Sequence, residues 1–215
     1  ADYNYYVQMR STIPSDPSFT SQWHHVNNGS SGGTLDADID SDLAWDITTG
    51  GLTATNDDIV VCMVEGGGGN LDHQDLSPNR WVNNAEIPND NIDNDGNGYV
   101  DDYNGWNTGS NNDDYGNSSH GTNCLGMIGA KGNNNIAVAG ANWDVKMMVL
   151  NMGGSLTQAN VVSAYTYPLV MRQMWNNSDG AQGAFVVATS ASWGIDGANP
   201  ASYPLWCQFY DREIH

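Results

Sequence analysis

Three short runs rich in apolar residues, 59–64, 145–152 and 185–191, constrain the fold of this chain more than any other feature. The first, Ile-Val-Val-Cys-Met-Val, is apolar at every position and ends in Glu65 and four glycines. That is the pattern of a strand buried on both faces and closed by a tight turn. Between and after these runs the apolar spacing becomes helical. Small and apolar residues recur over 122–130 before Lys131-Gly132 supplies a stop. Over 157–175, Val161, Val162, Ala164, Tyr165, Leu169, Val170 and Met174 suit a long amphipathic helix, which Pro168 is expected to kink or divide. A last helix is expected from 203 to 215. Strands alternating with helices predict an α/β fold: a parallel sheet with helices on both faces. In such sheets the chemistry gathers beyond the carboxyl ends of the strands. Glu65 stands at one such end, and Ser192-Trp193-Gly194 at another.

The rest of the chain is polar and rich in turn residues. Residues 1–51, with Pro14, Pro17 and the Gly-Ser run 29–33, read as a surface arm. A short helix is expected there over 41–47, with Ser41 as its cap and Leu43, Ala44 and Ile47 on one face. Residues 79–119 are dominated by Asn, Asp and Gly, and a loop of that length needs something to order it. Within it, counting Asn91 as first, oxygen side chains fall at the first, third and fifth places: Asn91, Asp93 and Asp95. Gly96 follows at the sixth, the carbonyl of Asn97 at the seventh and Asp102 at the twelfth, which is calcium-loop spacing. No EF-hand helices flank it. The expectation is one Ca2+-ordered insertion loop rather than a sensor, with Asp102 reaching less far than the usual glutamate.

Charge narrows the function classes. Six Lys+Arg against 25 Asp+Glu leave a formal net charge of -19, which repels phosphate backbones and anionic lipid. No nucleic-acid partner and no membrane insertion are expected, since no apolar run approaches the about 20 residues of a membrane-spanning helix. Divalent cations are the natural counterions. The start, Ala1-Asp2-Tyr3-Asn4, lacks the basic-then-apolar pattern of a leader, so an exported protein would already have lost it. Few lysines and much Gly, Asn, Ser and Asp suit a secreted, extracellular or cell-surface protein. Cys62, Cys124 and Cys207 allow at most one disulfide within the chain.

The order of these pieces resembles the subtilisin-like serine peptidases, the subtilase family. The resemblance is carried by the strand ending in Glu65 and glycines, by His73-Gln74-Asp75-Leu76, and by His120-Gly121-Thr122-Asn123-Cys124-Leu125-Gly126. Asp16-Pro17-Ser18-Phe19, Gln22-Trp23, Lys131-Gly132-Asn133-Asn134, Val138-Ala139-Gly140 and Ser192-Trp193-Gly194 extend it along nearly the whole chain. Each piece alone is weak; their collinearity is specific. The resemblance, to the secreted bacterial type, implies a three-layer subtilisin-like fold, of which residues 1–215 are the N-terminal portion of one peptidase domain, incomplete at its C-terminal side. It implies catalytic roles for Glu65 and His120, acid before histidine before serine. It makes Ser192, Trp193 and Gly194 the edge that receives substrate, and Asp16 a further calcium ligand. In this chain Glu65 stands where the family has Asp, and the glycine run before His73 is one residue longer.

No Gly-Thr-Ser occurs in the chain, so the family's nucleophile is expected beyond residue 215. The expected partners are a protein or peptide substrate and the C-terminal remainder of the same domain. The alternative is a catalytically inactive subtilisin-like binding or structural subunit of a cell-surface assembly, suggested by Glu65 and the missing serine.

Overall fold

The computed structural model describes residues 11–154 and 157–213. The first ten residues of the expected arm and the last two of the expected final helix lie outside the described residues. In chain order the elements are α1 (Ser41–Trp45), β1 (Ile59–Glu65), β2 (Trp106–Asn107), α2 (Ser119–Gly129), β3 (Lys146–Asn151), α3 (Gln158–Asn177), β4 (Phe185–Ser190) and α4 (Pro204–Glu213). The strands form one four-stranded sheet in the order β2-β3-β1-β4. Every neighbouring pair is parallel. β1 and β3 run in unbroken register from Val60↔Lys146 to Glu65↔Asn151. β1 and β4 slip between Val60 and Val61 and pair as far as Met63↔Ser190.

Alternation along the strands separates two cores. Val60, Cys62 and Val64 join Met148 and Leu150 beneath α3, against Val161, Ala164, Tyr165 and Met171. Met63 joins Met147 and Val149 on the other face, against Leu125 of α2. Both faces of β1 and β3 are therefore covered. Each fully buried Met, Leu or Val contributes about 1.5–3 kcal/mol, which is why the central strands carry so few polar residues. Pro168 does not divide α3. It lies on the buried stripe with Ala164 and Met171, where packing holds the helix together against the lost hydrogen bond.

The arm departs more from expectation. Asp40, not Ser41, precedes α1, in a left-handed conformation with φ 51°. Ser41 is buried inside the helix and its hydroxyl meets Nδ1 of His25 at 2.7 Å. The expected apolar face of Leu43 and Ile47 is exposed, and Trp45 packs inward instead. Phe19, Trp45, Ala139 and Trp143 form a small separate core that fastens the arm. Gln22 reinforces it, donating Nε2–H to the carbonyl of Ala139 at 2.8 Å and accepting that residue's N–H at 2.9 Å. All three cysteines are free thiols.

Candidate functional site

β1 ends at the rim of the sheet with Glu65, whose side chain is almost fully buried. The glycine turn that follows brings the chain under the start of α2. Ser118 caps that helix, its hydroxyl accepting the N–H of Gly121 at 3.4 Å. The cap therefore lies two residues before His120. Thr122 ties the helix to the turn, donating to the carbonyl of Ser118 at 2.7 Å and accepting the N–H of Asn70 at 3.0 Å. Glycines at both sides permit this approach. A Cβ on Gly121 would collide with the carbonyl oxygen of Gly68, and Gly68 itself sits at φ 59° against the carbonyl of Tyr115.

The consequence is that His120, in the first turn of α2, places Nδ1 3.4 Å from Oε2 of Glu65. The imidazole side chain is 60% exposed while the Glu65 side chain is 6% exposed. A buried carboxylate thus stands beside one ring nitrogen of a largely exposed imidazole. The separation is long for a charge-assisted hydrogen bond, as such contacts often are before substrate binds.

The third part of the rim is the segment beyond β4. The N–H of Ser192 donates to Oε1 of Glu65 at 2.8 Å. Half-buried Trp193 donates Nε1–H to the carbonyl of Val64 at 2.8 Å and packs 5.3 Å from the ring of Trp206. Cys124, one turn after His120, lies with Sγ 3.2 Å from Oγ of Ser192. The ligand atoms of Glu65, His120 and Cys124 all lie within 4.8 Å of one another. Glu65, His120, Ser192 and Trp193, drawn from three separate elements, therefore meet at the carboxyl end of the sheet, with exposed Gly194 continuing the same segment.

The acidic loop is organised differently from its sequence spacing. Asp95 and Asp102 come together, and Glu86 joins them; ligand oxygens of these three lie within 4.8 Å of one another. Asp102 is fully buried and Glu86 is 4% exposed. Asn83 donates Nδ2–H to Asp95 at 2.9 Å and to Asp102 at 3.1 Å. Tyr167 of α3 donates its hydroxyl to Oδ2 of Asp102 at 2.6 Å. Asn97 lies beside the cluster and donates Nδ2–H to Asp95 and Asp102. Asp93 turns away, accepting N–H groups of Gly96, Asn97 and Gly98 in its own loop. Asn91 is exposed, and its backbone N–H goes to Asp101. Burial pushes the Asp102 carboxyl up to about 6, against the opposing hydrogen bonds of Tyr167 and Asn97. Burial also raises that of Glu86, whose buried Oε2 has no hydrogen-bond partner among the described residues. Three crowded carboxylates with one orphaned oxygen suit a hard cation.

Asp16 shows the same signature. It is buried, one oxygen accepts the N–H of Asn133 at 2.6 Å, and Oδ1 has no hydrogen-bond partner among the described residues. Buried Asp75 grips the same loop, accepting from Nδ2 of Asn134 at 2.8 Å and from the N–H of Val138 at 3.1 Å. Sequence reasoning missed Glu86 and Asn83 because they precede the counted twelve residues. Asp75 carried a signal, as part of His73-Gln74-Asp75-Leu76, but no ligand spacing.

The chain matches the model of the subtilase family (peptidase family S8) over residues 56–209. It is 31% identical to neuroendocrine convertase 2 of Bos taurus over 149 residues, covering 69% of this chain and 20% of that protein. It is 30% identical over 181 residues to neuroendocrine convertase 2 of Drosophila melanogaster, covering 84% of this chain and 23% of that one. The chain thus spans about a fifth of the length of these relatives, with coverages of 20% and 23%. Among solved structures, the serine protease of Aeromonas sobria superposes with a TM-score of 0.61 at 16% identity, covering 94% of this chain and 30% of that one. That likeness shows the fold: a parallel sheet with helices, subtilisin-like in arrangement. With a family match over more than half its length, this chain belongs to the subtilase family of serine peptidases.

Proposed function

We propose that this chain supplies the acid–histidine half of a secreted, calcium-stabilised serine endopeptidase, whose nucleophilic serine lies beyond residue 215. The observation that carries the reading is the 3.4 Å approach of His120 Nδ1 to the buried Glu65 carboxylate, with the rest of the imidazole open to solvent. Glu65 keeps Nδ1 protonated and oriented, so the exposed Nε2 has a lone pair for a serine hydroxyl. The serine oxygen attacks the peptide carbonyl as His120 takes its proton. His120 then returns that proton to the leaving amine, and Glu65 steadies the imidazolium in between. Residues 192–194 offer main-chain groups to the peptide as an added strand.

The open side of the sheet supports the missing complement. β4 is its outermost strand, and Val187 on it is 50% exposed. A groove of about 430 Å³ between β4, α3 and α4 is lined by Tyr165, Pro168, Leu169, Val187, Thr189 and Phe209. Parallel sheets are normally covered on both faces, which fits further chain of the same domain packing here.

Calcium is proposed at two places, held by Glu86, Asp95 and Asp102 in the acidic loop and by Asp16 beside loop 131–138. Bound there, the cation supplies the positive charge that the clustered carboxylates lack, and orders the chain around it. Export is proposed from the composition, which is poor in lysine and rich in Gly, Asn, Ser and Asp.

Labelling the intact native protein with a serine-directed fluorophosphonate tests the enzyme reading. Labelling that disappears in His120→Ala supports it. An unlabelled, folded protein selects instead the inactive binding subunit, which the glutamate at the acid position favours.

A further inference from the structure

Backbone pairing between β1 and β4 stops at Met63↔Ser190. Beyond that point two side-chain bonds join the chain after β4 to the end of β1. One is Ser192 N–H to Glu65 Oε1 at 2.8 Å; the other is Trp193 Nε1–H to the Val64 carbonyl at 2.8 Å. Ala191, Ser192 and Gly194 are themselves exposed, so within this segment only the Trp193 ring packs against the core, and the backbone at Ser192 is held by its bond to Glu65. One oxygen of the Glu65 carboxylate faces His120 and the other faces the backbone of Ser192. A carboxylate one methylene shorter cannot keep both contacts without movement of the strand that bears it.

We propose that Glu65 is a positioning residue for the segment that receives substrate, as well as the partner of His120. Peptide binding and imidazole orientation are then coupled through one side chain. The inference rests on the peptidase reading for its consequence, but the coupling itself belongs to the geometry of this chain. When a peptide pulls on 192–194, the strain reaches the carboxylate that orients the ring. The length of glutamate is what permits the second contact, which assigns a use to the departure from aspartate.

Glu65→Gln separates the two roles, because its amide oxygen still accepts from Ser192 while its charge is gone. In the intact protein, amide hydrogen exchange at Ser192 and peptide hydrolysis are measured for wild type, Glu65→Gln, Glu65→Ala and His120→Ala. Glu65→Gln should leave Ser192 exchange unchanged and KM within about threefold, while kcat falls by about 100-fold or more. Glu65→Ala should speed Ser192 exchange and raise KM, each by about tenfold or more, in addition to the loss of kcat. His120→Ala should lose kcat with Ser192 exchange unchanged. Ser192 exchange as slow in Glu65→Ala as in wild type, or equal KM in the Gln and Ala variants, overturns the proposal. Should Glu65→Ala fail to fold, Glu65→Asp takes its place: faster Ser192 exchange supports the coupling and unchanged exchange overturns it. If Ser192 exchange follows the expected order but no variant or wild type hydrolyses peptides, the positioning role stands and the peptidase reading falls.

Discussion

Glu65 and His120 show how much chemistry two residues draw from their place in the chain. The acid closes an apolar strand and the histidine opens a helix, so both fall at the rim where strand ends and helix starts meet. Their pairing was legible in the sequence because each marks the end of a periodic element. The bond from Ser192 to Glu65 was not, since nothing in the residue order says which way a backbone N–H points beyond a strand. His120→Ala is expected to lower kcat/KM by about 1,000-fold or more, because in the proposed reaction it removes the base from the serine. Its unfolding midpoint should stay close to wild type, since the side chain is 60% exposed. Paired kinetic and thermal-melt measurements check this.

At the scale of elements, α2 and the acidic loop are stabilised by different means. α2 is held by its cap and by glycine contacts at its first turn, so Ser118→Ala should cost about 1 kcal/mol in chemical denaturation. The loop over 79–119 is anchored by Trp81 and Trp106 in the core, and between those anchors it is tied by the carboxylate cluster and its hydrogen-bond donors. Adding calcium should therefore raise the melting temperature, by an amount equivalent to about 2.7 kcal/mol at 100 times Kd. Chelation should open 79–119 to nicking by an added protease, read by mass spectrometry of the fragments. Glu86→Gln should weaken the calcium response more than Asp93→Asn, because Asp93 is spent on its own turn. Element type was legible almost everywhere: all three long strands and the three long helices fall where apolar periodicity placed them. The two-residue β2 was not, since Trp106 and Asn107 pair with β3 through a tertiary contact that carries no periodicity. The arrangement of the carboxylate cluster escaped for a related reason: twelve-residue counting describes a loop closed by its own side chains, whereas Glu86 and the donor Asn83 reach in from the chain before it.

Across the whole molecule, the arm is tied to the sheet-bearing part through His25, which is fully buried between Ser41, the carbonyl of Ala139 and the rings of Phe19 and Trp45. Burial, followed by the neighbouring His24, lowers its pKa from 6.5 to about 4. Between those two values the unfolded chain takes up a proton that the folded chain refuses. Stability from this group is thus complete above pH 6.5, falls as the pH drops toward 4 and is flat below. Melting temperature against pH should show this slope, and His25→Asn should flatten it. The arm's docking was not legible in the sequence, because Trp45, Trp143 and His25 are far apart in the chain and follow no common period. The α/β architecture was legible, because a few long apolar elements dictate it. All of the chemistry proposed for this molecule depends on the approach of His120 Nδ1 to within 3.4 Å of Glu65 Oε2, and proton NMR of the imidazole N–H in the intact protein tests whether a hydrogen bond forms there. The account predicts a downfield Nδ1–H resonance in wild type that is absent in His120→Ala and lost in Glu65→Ala; a resonance assigned to His120 that persists unchanged in Glu65→Ala contradicts it.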